Sequence, residues 1–229
     1  MKQIPNLITL GNLLCGVLAC VCAANGQVDY ASALIILGIV FDFFDGLAAR
    51  ILGVSSPMGK ELDSLADVVT SGVAPGLIFL SLLSQFGYVG LAFLGLLIPL
   101  FSAYRLAKFN LDTRQMHSFI GLPTPANALV WVSVALAVNI NSMESDFSTR
   151  PWVIGFAVVS VILNILLVSE LPMFALKIKN LSWKDNKVRY IFIIGCIALI
   201  AVFRELGLAF SILWYIVLSI ITRPKSEEV

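Results

Sequence analysis

The chain has 229 residues, 59% of them hydrophobic and only 13% charged, and carries a formal net charge of +1. That is the composition of a membrane protein rather than of a soluble globular domain. A near-neutral balance argues against a nucleic-acid partner, whose usual footprint is a basic patch.

A membrane-spanning helix needs about 20 mostly apolar residues. By that measure spans are predicted near residues 7–24, 31–52, 62–84, 87–107, 122–140, 152–169, 188–203 and 206–222, the last two being short. Residues 7–24 follow Lys2 and end in Cys22-Ala-Ala, which resembles a leader cleavage site. Their length and the polar Asn6, Thr9 and Asn12 predict a retained first span instead. Cys15, Cys20, Cys22 and Cys196 lie in apolar runs without C-x-x-C spacing and read as small core hydrophobes. His117, the one histidine, reads as incidental, and Trp131, Trp152, Trp183 and Trp214 fall where an aromatic belt would sit. The basic stretch at 170–190 reads either as a segment on the inner leaflet or as a plain cytoplasmic loop.

The loops give an independent check, because cytoplasmic loops are enriched in Lys and Arg. With a cytoplasmic N-terminus, the inner side collects Lys2, Arg50, Lys60, Arg105, Lys108, Arg114, Lys177, Lys179, Lys184, Lys187, Arg189, Arg223 and Lys225, leaving only Arg150 and Arg204 outside. Eight spans and both termini in the cytoplasm are the expectation. The expected fold is an all-α, polytopic helical bundle. It forms a single membrane domain over 1–229, with a catalytic core at about 3–169 and a helical extension at about 170–229.

Inside the second and third spans stand four aspartates: Asp42, Asp45, Asp63 and Asp67. An ionised carboxylate in the bilayer costs a few kcal/mol even on lenient scales, so four of them need a partner or a watery cavity. On helices, Asp42 and Asp45 (i, i+3) share one face and so do Asp63 and Asp67 (i, i+4). The turn residues between Ile51 and Leu62 would fold the second helix beside the first, bringing both pairs near one membrane surface. Carboxylates without His or Cys suit Mg²⁺ or Mn²⁺. Two ions about 3.5–4 Å apart are the usual arrangement in phosphoryl chemistry. The competing reading pairs the aspartates with Arg50 and Lys60 for helix association, but two cations do not neutralise four carboxylates. Gly46 and Ala49, beside the same face, admit either a neighbouring helix or a ligand.

The pattern Asp42-x2-Asp45-Gly46-x2-Ala49-Arg50-x8-Gly59-x3-Asp63-x3-Asp67 resembles, without departure, the signature of the CDP-alcohol phosphotransferase family. The resemblance implies a membrane enzyme with a six-helix core that moves a phosphatidyl group from a CDP-linked donor to an alcohol, releasing CMP. Ile4–Asn12, Arg105–Asn110 and Gly121–Asn127 are similar to the family's phosphatidylserine-forming branch, which implies CDP-diacylglycerol and L-serine as substrates. By the same resemblance Asp42, Asp45, Asp63 and Asp67 hold the metals and Asp67 is the general base. Asn12, Asp42, Gly46, Ala49, Arg50, Gly59 and Ser64 face the CDP-lipid, and the enzyme is a homodimer among membrane lipids.

Arg50 also fits an interfacial anchor, and Asn12 a polar helix contact. For the acceptor, Arg105 is the expected carboxylate partner, with Lys108 and Arg114 as alternatives and Asn110 and Gln115 as neutral donors. The same basic residues also serve as topology signals, and they would equally receive glycerol 3-phosphate or an inositol phosphate. No nucleophile with a flanking base is evident, which favours direct displacement. A divalent-cation transporter would spread its aspartates through the membrane depth or repeat them in a second half, and this sequence does neither.

Overall fold

The computed structural model describes residues 3–54, 56–112, 119–140, 150–174 and 183–222. Eight helices account for nearly all of them: α1 Ile4–Ala24, α2 Val28–Leu52, α3 Pro57–Gln85, α4 Val89–Leu111, α5 Thr124–Ile140, α6 Arg150–Val168, α7 Trp183–Phe203 and α8 Gly207–Thr222. By length and composition six stretches can cross a membrane, with Asn186–Thr222 counting as one and the apolar part of α5, Thr124–Val138, falling short. The all-α membrane bundle expected from composition is borne out. A 3-10 turn at Arg204–Leu206 divides Asn186–Thr222 into α7 and α8. The two run antiparallel, with Gly195 against Trp214, Cys196 hydrogen-bonded to Ser211 and Gly207 against Ile200.

Local chemistry sets the helix ends. α2 closes on Gly53 in the left-handed region (φ 61°), with Val54 N donating to Ala49 O at 3.0 Å. Ser56 then caps α3 by accepting from Gly59 N at 2.9 Å, and Pro57 occupies the first turn. The third helix therefore begins well before residue 62, where hydropathy places it. The polar run Gly59-Lys60-Glu61 fails a hydropathy test, whereas the cap and proline start the helix regardless.

Two interruptions shape α3 and α4. α3 carries a π-helical segment at Val68–Val73, directly after Asp67, and α4 a 3-10 segment at Phe93–Leu96. Gly76 and Gly95 let these helices touch backbone to backbone, since a Cβ on Gly76 would lie 2.7 Å from Gly95 O. Around this crossing lies an apolar core in which Phe79 meets Trp131 edge-on at 4.7 Å, with Ile35, Ile78 and Ile98 fully buried.

A short antiparallel ladder, β1 (Phe119–Ile120) with β2 (Pro172–Met173), ties the start of α5 to the end of α6. Gly121 N donates to Leu171 O at 2.9 Å and Leu122 N to Leu166 O at 3.0 Å. The start of the 170–190 connection is thus a strand whose Met173 is fully buried; residues 175–182 lie outside the described ones. Lys60 Nζ donates to Asn110 O at 2.9 Å, and Lys108 Nζ pairs with Glu170 at 3.3 Å. Hence the C-terminal ends of α2, α4 and α6 and the N-terminal ends of α3 and α5 gather at one end of the bundle.

Candidate functional site

At that end, Asp42 on α2 and Asp63 and Asp67 on α3 each present a carboxylate oxygen within 4.8 Å of the others. The i, i+4 spacing on α3 and the tight α2–α3 turn put them there, as their positions in the sequence led us to expect. Asp45 is held slightly apart. Its Oδ2 accepts from Thr9 Oγ1 of α1 at 2.5 Å. Asn12, fully buried one turn further along α1, donates from Nδ2 to Asp67 Oδ1 at 3.4 Å, and Thr70 Oγ1 donates to Asn12 O at 3.1 Å.

The set fits a divalent cation on the evidence of its own unmet bonds. No Lys or Arg among the described residues forms an ion pair with Asp42, Asp63 or Asp67. Lys60 turns to Asn110, and Arg50 is exposed, so helix association through those cations is not what the fold builds. Oδ1 of Asp63 and Oδ1 of Asn12 are buried with no hydrogen-bond partner among the described residues. Leaving such an atom unpaired costs about 1–3 kcal/mol. Oxygen donors at this density match a hard divalent ion.

Beside the triad opens a cleft of about 540 Å³ between the ends of α1, α2 and α3. Asp45 and Asp63 line it on the acidic side, Gly46, Ala49 and Gly59 along the helices, and Lys60 near the mouth. A Cβ built on Gly46 would meet nothing within 4 Å. No helix of this chain packs on it among the described residues, and the space beside it belongs to the cleft. Asn12, Asp42, Arg50 and Ser64 do not line the cleft; Ser64 Oγ instead accepts from Asn110 Nδ2 at 2.9 Å.

Arg105 reaches the triad from α4. It is buried, lies within electrostatic reach of Asp67, and stacks over the Phe109 ring at 5.1 Å. Its Nε has no hydrogen-bond partner among the described residues. Lys108 is turned to Glu170, Asn110 Oδ1 is buried with no hydrogen-bond partner among the described residues, and Arg114 and Gln115 lie outside the described residues.

Thr9 and Asn6, which also line the cleft, do not emerge from sequence as site residues. The available signal was the polar stripe Asn6, Thr9, Asn12 at every third position of an otherwise apolar helix.

A helical membrane bundle that gathers Asp42, Asp63 and Asp67, with Asp45 beside them on a cleft bordered by Gly46 and Gly59, is an arrangement that could hold a divalent ion next to a bound ligand. The chain belongs to the CDP-alcohol phosphatidyltransferase family, which it matches over residues 2–167. Among its relatives, one from Bacillus subtilis strain 168, named CDP-diacylglycerol–serine O-phosphatidyltransferase, is 39% identical over 143 residues, 61% of this chain and 78% of the relative. A protein of the same name from Helicobacter pylori strain J99 is 34% identical over 230 residues, 94% of this chain and 92% of the relative. An archaetidylserine synthase from Methanothermobacter thermautotrophicus is 33% identical over 146 residues, 63% and 62% of the two chains.

Proposed function

We propose that this chain transfers the phosphatidyl group of CDP-diacylglycerol to the hydroxyl of L-serine, giving phosphatidylserine and CMP. The observation that carries the reading is the meeting of the Asp42–Asp63–Asp67 cluster with the open Gly46 face of the cleft. The serine acceptor is supported by the names of relatives that cover most of the chain.

In this reading the cleft between α1 and α3 takes the cytidine diphosphate, while the acyl tails stay in lipid. Gly46, Ala49 and Gly59 allow its close approach, and Lys60 stands at the phosphate side. Asp42, Asp45, Asp63 and Asp67 hold Mg²⁺ or Mn²⁺, two ions per site, and Thr9 and Asn12 fix the orientation of Asp45 and Asp67. The bound cations supply neutralisation of the pyrophosphate and of the charge that develops on CMP.

The serine hydroxyl oxygen forms a bond to the phosphorus that carries the diacylglycerol. The bond from that phosphorus to the bridging oxygen breaks, and CMP leaves with the electron pair. Asp67 accepts the hydroxyl proton, which suits a carboxylate that Asn12 holds in place. Arg105, whose Nε has no hydrogen-bond partner among the described residues, binds the serine carboxylate. No side chain becomes covalently modified.

The positive-inside pattern supports a cytoplasmic site with both termini on the same side, and the family resemblance supports a homodimer. The test is release of CMP by the purified protein from CDP-diacylglycerol with one acceptor at a time. Release with serine is expected; release with glycerol 3-phosphate or an inositol phosphate, and none with serine, overturns the acceptor assignment.

A further inference from the structure

The last two helices lie outside the stretch that matches the family, yet one side chain of α8 reaches back toward the site. Tyr215 is buried, and its hydroxyl donates to Phe174 O at 3.1 Å. Its ring packs against Phe174 at 4.9 Å and Phe192 at 5.7 Å, and those two rings meet each other at 5.7 Å. Phe174 immediately follows β2, and Glu170, just before β2, pairs with Lys108 one turn beyond Arg105 on α4. The 170–174 segment is therefore fastened at one end to the helix that carries Arg105 and at the other to α8. Arg105 itself lies within electrostatic reach of both Asp67 and Tyr215.

We propose that α8 belongs to the acceptor half of the site, with Tyr215 as a positioning residue that sets Arg105 by fixing the 170–174 segment, which Lys108 ties to the same helix. The inference rests on Arg105 binding the acceptor, as proposed above. Burial alone does not require a tyrosine here, since a phenylalanine would fill the same aromatic cluster. The hydroxyl adds a directed bond to one backbone carbonyl, which locks the segment in register. A guanidinium whose neighbours are fixed in this way presents its fork in one orientation, and bidentate recognition depends on that.

The experiment measures CMP release by the full-length protein against serine and against CDP-diacylglycerol, for the parent, Tyr215→Phe and Ser133→Ala. Ser133 is the structural control. Its hydroxyl donates to Glu205 O and accepts from Ala209 N at 3.1 Å, so it ties the start of α8 to α5 without touching the Tyr215–Phe174 bond. Tyr215→Phe should raise KM for serine about three- to tenfold, the loss of one ordinary hydrogen bond, with kcat and KM for CDP-diacylglycerol within about twofold. Ser133→Ala should leave KM for serine unchanged. An unchanged serine KM in Tyr215→Phe, or the same rise in Ser133→Ala, overturns the inference. If the parent uses a different acceptor, the serine reading fails alone, and the KM for that acceptor then judges Tyr215 by the same criterion. Release with no acceptor overturns both.

Discussion

Gly46 is a position where a missing side chain does chemistry's groundwork. Because a methyl there would enter the cleft and touch no helix, Gly46→Ala should fold at least as well as the parent, alanine being favoured over glycine in helices by about 1 kcal/mol. Its KM for CDP-diacylglycerol should nevertheless rise about tenfold, as crowding of the bound donor demands. Thermal melting and CMP release check the two halves of that statement, and a lower melting point with unchanged KM would return Gly46 to a packing role. Asp67→Asn keeps an oxygen for Asn12 to bond but loses the basic carboxylate. Turnover should fall at least about a hundredfold while CDP-lipid binding changes little; near-parent turnover would remove Asp67 from the base role. The aspartates were legible because their spacing is itself the signal. Thr9 was not: a threonine in an apolar helix ordinarily bonds its own preceding turn, and Thr9 Oγ1 does lie 3.0 Å from Pro5 O, but only tertiary folding brings up Asp45 as the competing acceptor for its one hydrogen.

Hydropathy made the apolar helices legible, with the spans expected at 122–140, 152–169 and 206–222 falling within two residues of α5, α6 and α8. Less legible were the features that depend on local hydrogen bonding or on distant pairing. The start of α3 is set by Ser56 and Pro57, the π segment at Val68–Val73 has no periodicity of its own, and β1 pairs with β2 across two intervening helices. The π segment matters because Thr70 sits within it, wedged against α1 and α2. A Cβ on Gly16 would collide with Thr70 Oγ1 and lie 2.9 Å from its Cα, and one on Gly38 would lie 2.6 Å from Thr70 Cγ2. Gly16→Ala should therefore push α1 off α3, costing about 1–3 kcal/mol and breaking the Thr70–Asn12–Asp67 chain of hydrogen bonds. A lowered melting temperature together with reduced kcat is the expected result, and parent-like values in both would show that α1 shifts freely.

At the scale of the molecule, alternate helix ends gather on the side that holds Asp63, Lys60 and Lys108. Glu61, near the start of α3, and Gly90, at the start of α4 just past the other end of α3, are both exposed. In a cysteine-free background, Glu61→Cys should react with a membrane-impermeant maleimide only in inverted vesicles, and Gly90→Cys only in right-side-out ones. Labelling of both from one side would refute the proposed topology. The β1–β2 ladder carries one more consequence, for the order in which the site comes into being. Every residue lining the cleft lies between Pro5 and Asp63, so the donor pocket can form once three helices have entered the bilayer. The ladder cannot close until α6 has followed, and Tyr215 arrives only with α8. On the proposed function, a nascent chain acquires a place for the nucleotide long before it can hold an acceptor, and a chain truncated after α6 should bind CDP-lipid while handling serine poorly.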